Sequence, residues 1–319
     1  MGGSAGAVES FQKVVRAFPA DLQAAVFIVL HIPMDFESML PRILSRAGPL
    51  PAMHPMDGDP IRHGHIYIAP PDRHLTVEDS VVRVRRGPRE NRHRPAIDPL
   101  FRTAARVFGS RVIGVILSGQ LDDGAAGLRV IRLRGGLTVV QDPQDASSSQ
   151  MPRSALQYGG ADHVLPADEI GPCLAKLVGK CGGAAMTKSK ERADDAEQNR
   201  TVATPEEGEG IPSAFTCPDC HGTLWELRDG DLVRFRCRVG HAYTMTSLAE
   251  EQESAVENAL WAAMRALEEK SALSRRVADS TLTKNMSVRA REQAETDHQH
   301  AELIRKILFA EDMTAKSAD

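Results

Sequence analysis

Apolar side chains at Val8, Phe11, Val14, Val15 and Phe18 share one face of a helix, which predicts a helix opening near Ala5 and stopping around Pro19. The pattern then changes. Residues 24–30 read Ala-Ala-Val-Phe-Ile-Val-Leu with no polar interruption, predicting a strand buried on both faces of a parallel sheet and ending at His31-Ile32-Pro33. A short helix is expected over residues 40–47. A second strand over 65–69 closes at Pro70-Pro71, and residues 75–77 and 81–84 form a hairpin around Glu78-Asp79-Ser80. From there the alternation is regular: a helix over 96–107, a strand over 112–117, a glycine-rich turn over 118–127, a helix to about Arg134 and a strand over 137–141. Pro152 fits the first turn of another helix, followed by a strand over 162–165 and a helix over 170–178. Strands alternating with helices predict an α/β fold, doubly wound, with a mostly parallel sheet and helices on both faces. The site of such a fold lies at the carboxyl ends of its strands, where His31 and residues 118–124 fall.

The apolar pattern stops at Gly182. Lys188-Ser189-Lys190-Glu191-Arg192, followed by Asp194, Asp195, Glu206, Glu207 and Glu209, predicts a flexible linker over residues 182–212. Beyond a cysteine-rich segment over 213–245, Leu248, Val256, Leu260, Met264 and Leu267 recur near helical spacing, as do Val288, Ile304 and Leu308, predicting a helical hairpin over 246–312. The hairpin reads as a structural or self-associating pair, with polar outer faces.

At 319 residues, the chain has room for about two domains. The net charge of −4 gives no general electrostatic case for nucleic acid or a membrane surface. No apolar run reaches the length of a membrane span, so no membrane insertion is expected, and the start lacks the order of a secretory signal. A cytoplasmic protein is expected. Five cysteines, three of them clustered with a histidine, suit metal binding in a reducing compartment better than disulfides.

Gly2-Gly3-Ser4-Ala5-Gly6 sets a serine on a turn just ahead of a helix, whose unpaired N–H groups face a developing oxyanion. A serine hydroxyl needs a base, and the base works best beside a carboxylate that fixes its tautomer. His31, at the end of the most apolar strand, is the candidate base. Asp122 and Asp123 lie between a strand and a helix, so one suits a helix cap and the other the orienting acid.

The order Ser, His, Asp resembles the catalytic domain of the CheB family, the chemotaxis protein-glutamate methylesterases. The resemblance covers about residues 2–177 and rests on separated motifs: Gly3-Ser4-Ala5-Gly6, Val29-Leu30-His31-Ile32-Pro33, Tyr67-Ile68-Ala69-Pro70-Pro71-Asp72-Arg73-His74-Leu75, Arg94-Pro95-Ala96-Ile97-Asp98-Pro99-Leu100-Phe101, Leu117-Ser118-Gly119 with Asp123-Gly124-Ala125-Ala126-Gly127, and Gln141-Asp142-Pro143 with Met151-Pro152-Arg153. It implies that residues 1–181 form a methylesterase domain in which Ser4 is the nucleophile, His31 the general base and acid, and Asp123 the orienting carboxylate. The implied reaction hydrolyses glutamate γ-methyl esters on methyl-accepting chemotaxis receptors, with glutamine deamidation as a second activity and no cofactor. Backbone N–H groups near Ala5 and Gln120 are the oxyanion candidates; His74, Arg94 and Asp98 read as structural. The family has an apolar strand before the nucleophile turn, whereas this sequence starts at Met1, so a truncated start or a missing sheet edge is expected, with Ser4 on a frayed end. Ala7 and Gln120 replace a glycine and a methionine common in the family. The receiver domain that often precedes the esterase lies outside this sequence, so control through it is not implied.

Cys217-Pro218-Asp219-Cys220, sixteen residues, then Cys237-Arg238-Val239-Gly240-His241 supply four ligands in two knuckles, the pattern of a structural zinc. His221 competes with His241 as the fourth. Strands over 224–227 and 232–235 flank Asp229-Gly230, a zinc-ribbon-like hairpin, while Cys173 and Cys181 are incidental. Ribbons followed by helices resemble tails on some CheB-like proteins. Two further readings stay open: a catalytically weak scaffold recruiting partners through ribbon and helices, and nucleic-acid binding through Arg228, Arg234, Arg236 and Arg238, against which the overall acidity argues.

Overall fold

The computed structural model describes residues 1–32, 38–181, 210–229, 232–280 and 284–315. The chain divides into two compact units, Met1–Leu248 and Ala249–Asp319.

The first unit begins with β1 (Gly2–Gly3), α1 (Ala7–Arg16), β2 (Val26–Leu30), α2 (Leu40–Ala47), β3 (Ala52–Met53) and β4 (Ile66–Ile68), then the hairpin β5 (His74–Glu78) and β6 (Val81–Arg85). It continues with α3 (Ile97–Phe108), β7 (Ile113–Ile116), α4 (Ala125–Leu133), β8 (Leu137–Gln141), α5 (Gln150–Ser154), β9 (His163–Leu165) and α6 (Ala167–Cys181). Seven strands pair in the order β3-β4-β2-β1-β7-β8-β9, every pairing parallel. Successive residues point to opposite faces. Ile28, Leu117 and Val139 therefore pack with Phe11, Val14, Leu44 and Ile170 under α1, α2 and α6, while Val29, Ile116 and Val140 pack with Ile97, Leu100, Leu128 and Met151 under α3, α4 and α5. Helices cover both faces, which is why the strands carry unbroken apolar runs.

The centre of the sheet departs from expectation. Gly2 pairs with Val29 on one side and Ile116 on the other, and Met1 is 8 % exposed, so Ser4 leaves a doubly paired strand and not a frayed end. Two glycines can form the central strand because helices press on it from both faces. A Cβ at Gly2 would lie 2.6 Å from Ile97 of α3, and one at Gly3 would lie 2.5 Å from the Ala7 Cβ of α1. The strand carries no apolar signal for that reason.

The linker expected over 182–212 lies outside the described residues up to 209; Ile211 and Pro212 already belong to β10 (Ile211–Thr216). With β11 (Thr223–Asp229), β12 (Leu232–Cys237) and β13 (Ala242–Thr244) it forms a four-stranded antiparallel sheet within the first unit. Cys217, Leu224, Phe235, Tyr243 and Leu248 form its core.

In the second unit, α7 (Met245–Ser280, from Ala249 onward) and α8 (Lys284–Ala315) make the helical hairpin. Its seam is narrower than the expected leucine and valine stripe. Met264, Ser271 and Ala278 are buried with Ala294, Asp297 and Ala301, whereas Val256 and Val288 are exposed and Leu248 packs in the ribbon core. The Ser271 hydroxyl donates to the Ala294 carbonyl (2.7 Å) and Lys270 pairs with Asp297 (3.0 Å).

Substituting Gly2→Val should lower unfolding free energy by about 1–3 kcal/mol, read from the urea midpoint, since overpacking a closed core costs that much. A change within about 0.5 kcal/mol, as at an exposed frayed end, would contradict the central placement.

Candidate active site

The turn out of β1 is fixed from two sides. The Ser4 N–H donates to the Ser118 carbonyl (2.9 Å), and Ser4 O accepts from Ala7 N–H (3.1 Å) as α1 begins. Gly6 sits at φ 73°, a left-handed conformation that glycine adopts without steric penalty. The Ser118 hydroxyl donates to the Ala5 carbonyl (2.7 Å), and a Cβ at Gly119 would lie 3.0 Å from the Ser4 Cβ. The β1–α1 turn and the loop after β7 thus share one spot around Ser4. Ala5 and Gln120 stay exposed on these two loops, and neither backbone N–H bonds to another described residue.

His31 reaches the same spot through strand register. Gly3 pairs with Leu30, so Ser4 and His31 are the first residues past two adjacent parallel strands, and the His31 N–H donates to the Gly3 carbonyl (3.3 Å). His31 Nε2 bonds to Asp123 Oδ2 at 2.8 Å, and both side chains are buried. With its proton on Nε2 against the carboxylate, the ring keeps its lone pair on Nδ1, which is buried and without a partner among the described residues. One face of the ring stacks on His93, centroids 3.6 Å apart.

Asp123 is fully buried and every lone-pair direction is used. Oδ2 also accepts from Ile97 N–H (2.6 Å); Oδ1 accepts from Asp98 N–H (3.2 Å) and Asn91 Nδ2 (3.0 Å). Ile97 and Asp98 open α3, whose preceding residue Ala96 has no capping side chain, so Asp123 supplies the missing acceptor at the positive end of the helix. Burial pushes its carboxyl up, but His31, the Ile97 N–H and Asn91 outweigh that and hold it below the usual carboxylate range. Asp98 responds in the opposite sense: burial, then the charge of Asp123, drive it well above that range. The two carboxyls bracket Asn91, whose Nδ2 donates to Asp98 Oδ2 (3.0 Å) as well.

Other expected residues fall into supporting places. His74 Nε2 bonds the Pro88 carbonyl (2.8 Å) while its Nδ1 accepts from Ala96 N–H (3.2 Å), and Arg94 donates to Asp72 Oδ1 (2.7 Å through Nε) and the Gly87 carbonyl (2.7 Å). Both pin residues 86–96 over the site. Neither Asp122 nor Asp123 caps α4, which starts after Gly124 without a side-chain cap; Asp122 Oδ1 instead accepts the Thr244 hydroxyl (2.9 Å) from the ribbon. Asn91, His93 and Thr244, which also meet at the site, belong to no sequence motif.

In the ribbon, the metal-binding atoms of Cys217, Cys220, Cys237 and His241 all lie within 4.8 Å of one another. Cys220 and Cys237 sulfurs are 3.6 Å apart, and His241 Nδ1 is 3.5 and 3.6 Å from those of Cys237 and Cys217. A tetrahedral ion with bonds of about 2.3 Å to sulfur and about 2.0 Å to nitrogen has edges of roughly 3.5–3.8 Å. The four side chains fit a metal of that size, and His221 stands exposed outside the cluster.

His93 yields a pH signature. Burial, then the neighbouring His31, lower it to about 4 from the ordinary 6.5, so between these values the unfolded chain binds the extra proton. This residue therefore lowers stability as the pH drops from 6.5 to 4, by up to roughly 3 kcal/mol. His93→Phe keeps the stack on His31 and should make the urea midpoint lose less as the pH drops from 6.5 to 4 than it does in the wild type; an unaltered pH dependence would contradict it.

Comparison with known proteins finds similar chains over the first half of the sequence. The CheB methylesterase family model matches residues 1–174. A protein-glutamate methylesterase/protein-glutamine glutaminase of Anaeromyxobacter dehalogenans is 39 % identical over 177 residues, 56 % of this chain and 52 % of that protein. One from Pyrococcus horikoshii is 34 % identical over 179 residues, 55 % of this chain and 49 % of that protein. The chain thus spans about half the length of these relatives. The crystal structure of the Thermotoga maritima CheB methylesterase catalytic domain superposes with a TM-score of 0.53 at 31 % identity, covering 55 % of this chain and 95 % of that one. On the strength of that match and of the fold around Ser4, His31 and Asp123, this chain belongs to the CheB methylesterase family.

Proposed function

We propose that this chain is a cytoplasmic serine esterase that hydrolyses glutamate γ-methyl esters on methyl-accepting chemotaxis receptors, and deamidates receptor glutamine by the same route. The observation that carries this reading is the His31–Asp123 hydrogen bond beside Ser4, at the carboxyl ends of adjacent parallel strands. His31 Nδ1 takes the Ser4 proton as Oγ attacks the ester carbonyl, and buried Asp123 stabilises the imidazolium that forms. The oxyanion is received by the free N–H groups of Ala5 and Gln120, a device worth about a hundredfold or more per donor. His31 returns the proton to departing methanol, then activates the water that releases glutamate and frees Ser4.

Cys217, Cys220, Cys237 and His241 hold a structural zinc: four protein ligands leave no open position for chemistry. Freshly purified protein should contain about one zinc per chain, and metal analysis finding none would overturn the assignment. Self-association through α7 and α8 has support in exposed Val256, Leu273, Val277, Leu303 and Ile307, and sedimentation reads it directly.

Methanol release from a methylated receptor fragment tests the esterase. Ser4→Ala should slow it by about a thousandfold or more. Equal release from both proteins would remove Ser4 as nucleophile, and no release from either folded protein would favour a scaffold.

A further inference from the structure

The ribbon reaches the triad carboxylate through one side chain. Asn91, 3 % exposed, sits at φ 48°, a backbone conformation that asparagine tolerates better than most residues. Both hydrogens of its amide are spent on carboxyl oxygens, Asp98 Oδ2 and Asp123 Oδ1, each at 3.0 Å. The amide oxygen accepts the backbone N–H of Thr244 in β13 (3.2 Å), and the Asn91 N–H donates to the Ala242 carbonyl (2.8 Å). This arrangement has one orientation. A flipped amide would turn its oxygen on the anionic Asp123 and its NH2 on a backbone donor.

Thr244 grips a second point. Its hydroxyl donates to Asp122, the residue before Asp123. Ser247 holds Thr244 in turn: its Oγ shares the Thr244 N–H with Asn91, at 2.9 Å, and its own N–H donates to Thr244 Oγ1 at 3.1 Å, as in a capping box at the start of α7. Arg234 of β12 pairs with Thr244, and β12 ends on Cys237 while His241 directly precedes β13. The cluster that fits a metal thus fixes the strand that fixes Asn91.

We propose that Asn91 is a positioning residue for the Asp123 carboxylate, and that the cysteine-rich ribbon holds it in place through Thr244 and Ala242, making the ribbon a working part of the active site. This rests on the esterase reading above. Asn91 sets the Asp123 oxygens toward His31, and without it Oδ1 is a buried anionic atom short of a donor. In the CheB-type domain the ribbon therefore acts as an internal clamp, and losing its metal loosens the triad.

The test uses the full chain and two readouts: the labelling rate of Ser4 by a fluorophosphonate, and the low-field proton resonance of the His31–Asp123 hydrogen bond. Asn91→Gly removes the amide at a φ that glycine accepts, and Thr244→Val keeps the shape while removing the hydroxyl. Each should slow labelling by about ten- to a hundredfold, as small misplacements of a catalytic group do, and weaken or abolish the low-field signal. Stripping zinc with a chelator should do the same. Wild-type labelling and an unchanged signal in folded Asn91→Gly and Thr244→Val would overturn the proposal, and an unchanged signal after zinc removal would overturn the clamp. Failure of the wild type to label, or labelling of Ser4→Ala at the wild-type rate, brings down the esterase reading instead. The low-field signal in Asn91→Gly still decides the positioning role in that case.

Discussion

A carboxylate sealed from water is stable only where protein donors replace the water it has lost. Asp123 is that group here, and its four donors come from three parts of the chain: the end of β2 (His31), the first turn of α3 (Ile97 and Asp98) and the loop ahead of it (Asn91). Each is constrained in return. The helix α3 starts where its free N–H groups meet the carboxylate, the imidazole is tied through Nε2, and Asn91 takes a left-handed backbone. The same donors keep the group anionic despite its burial, while Asp98 beside it is driven the other way. One anion is accommodated in this dry pocket far more readily than two.

The parallel sheet does the rest. In parallel strands, residues one step past the ends of neighbours lie side by side, so Ser4 after β1 and His31 after β2, the proposed nucleophile and base, become neighbours without any long-range search. Asp123 comes from the loop between β7 and α4, next along the sheet. Chain order Ser, His, Asp is thus the order in which β1, β2 and β7 deliver their ends to one edge. The price of so crowded a centre is a central strand of two glycines, squeezed between Ile97 and Ala7.

Much of this was legible in the sequence. Val26 to Leu30 could only be a doubly buried strand, and His31 at its exit followed from that run. The cysteine spacing likewise pointed to the four residues that converge, with His241 and not His221 completing them. What stayed hidden has a physical reason in each case. Gly2–Gly3 shows no apolar pattern because side chains there would collide with the helices. Asn91 and Thr244 are 153 residues apart and meet through a backbone donor, which leaves no mark in either neighbourhood. Asp122 looked like a helix cap because local chemistry offers that role, but the ribbon competes for its oxygen. The hairpin departs for the opposite reason: several of its leucines and valines face solvent, whereas alanine and serine, small enough for close approach, line the seam.

The most direct measurement is methanol release by Asp123→Asn beside the wild type, with the unfolding midpoint of each taken under the same conditions. The variant keeps the size of the side chain and removes its charge. The account predicts a folded protein slowed by about a thousandfold or more, because the amide no longer enforces the tautomer or stabilises the imidazolium. Turnover within a few-fold of the wild type would mean that the buried carboxylate does not organise this site.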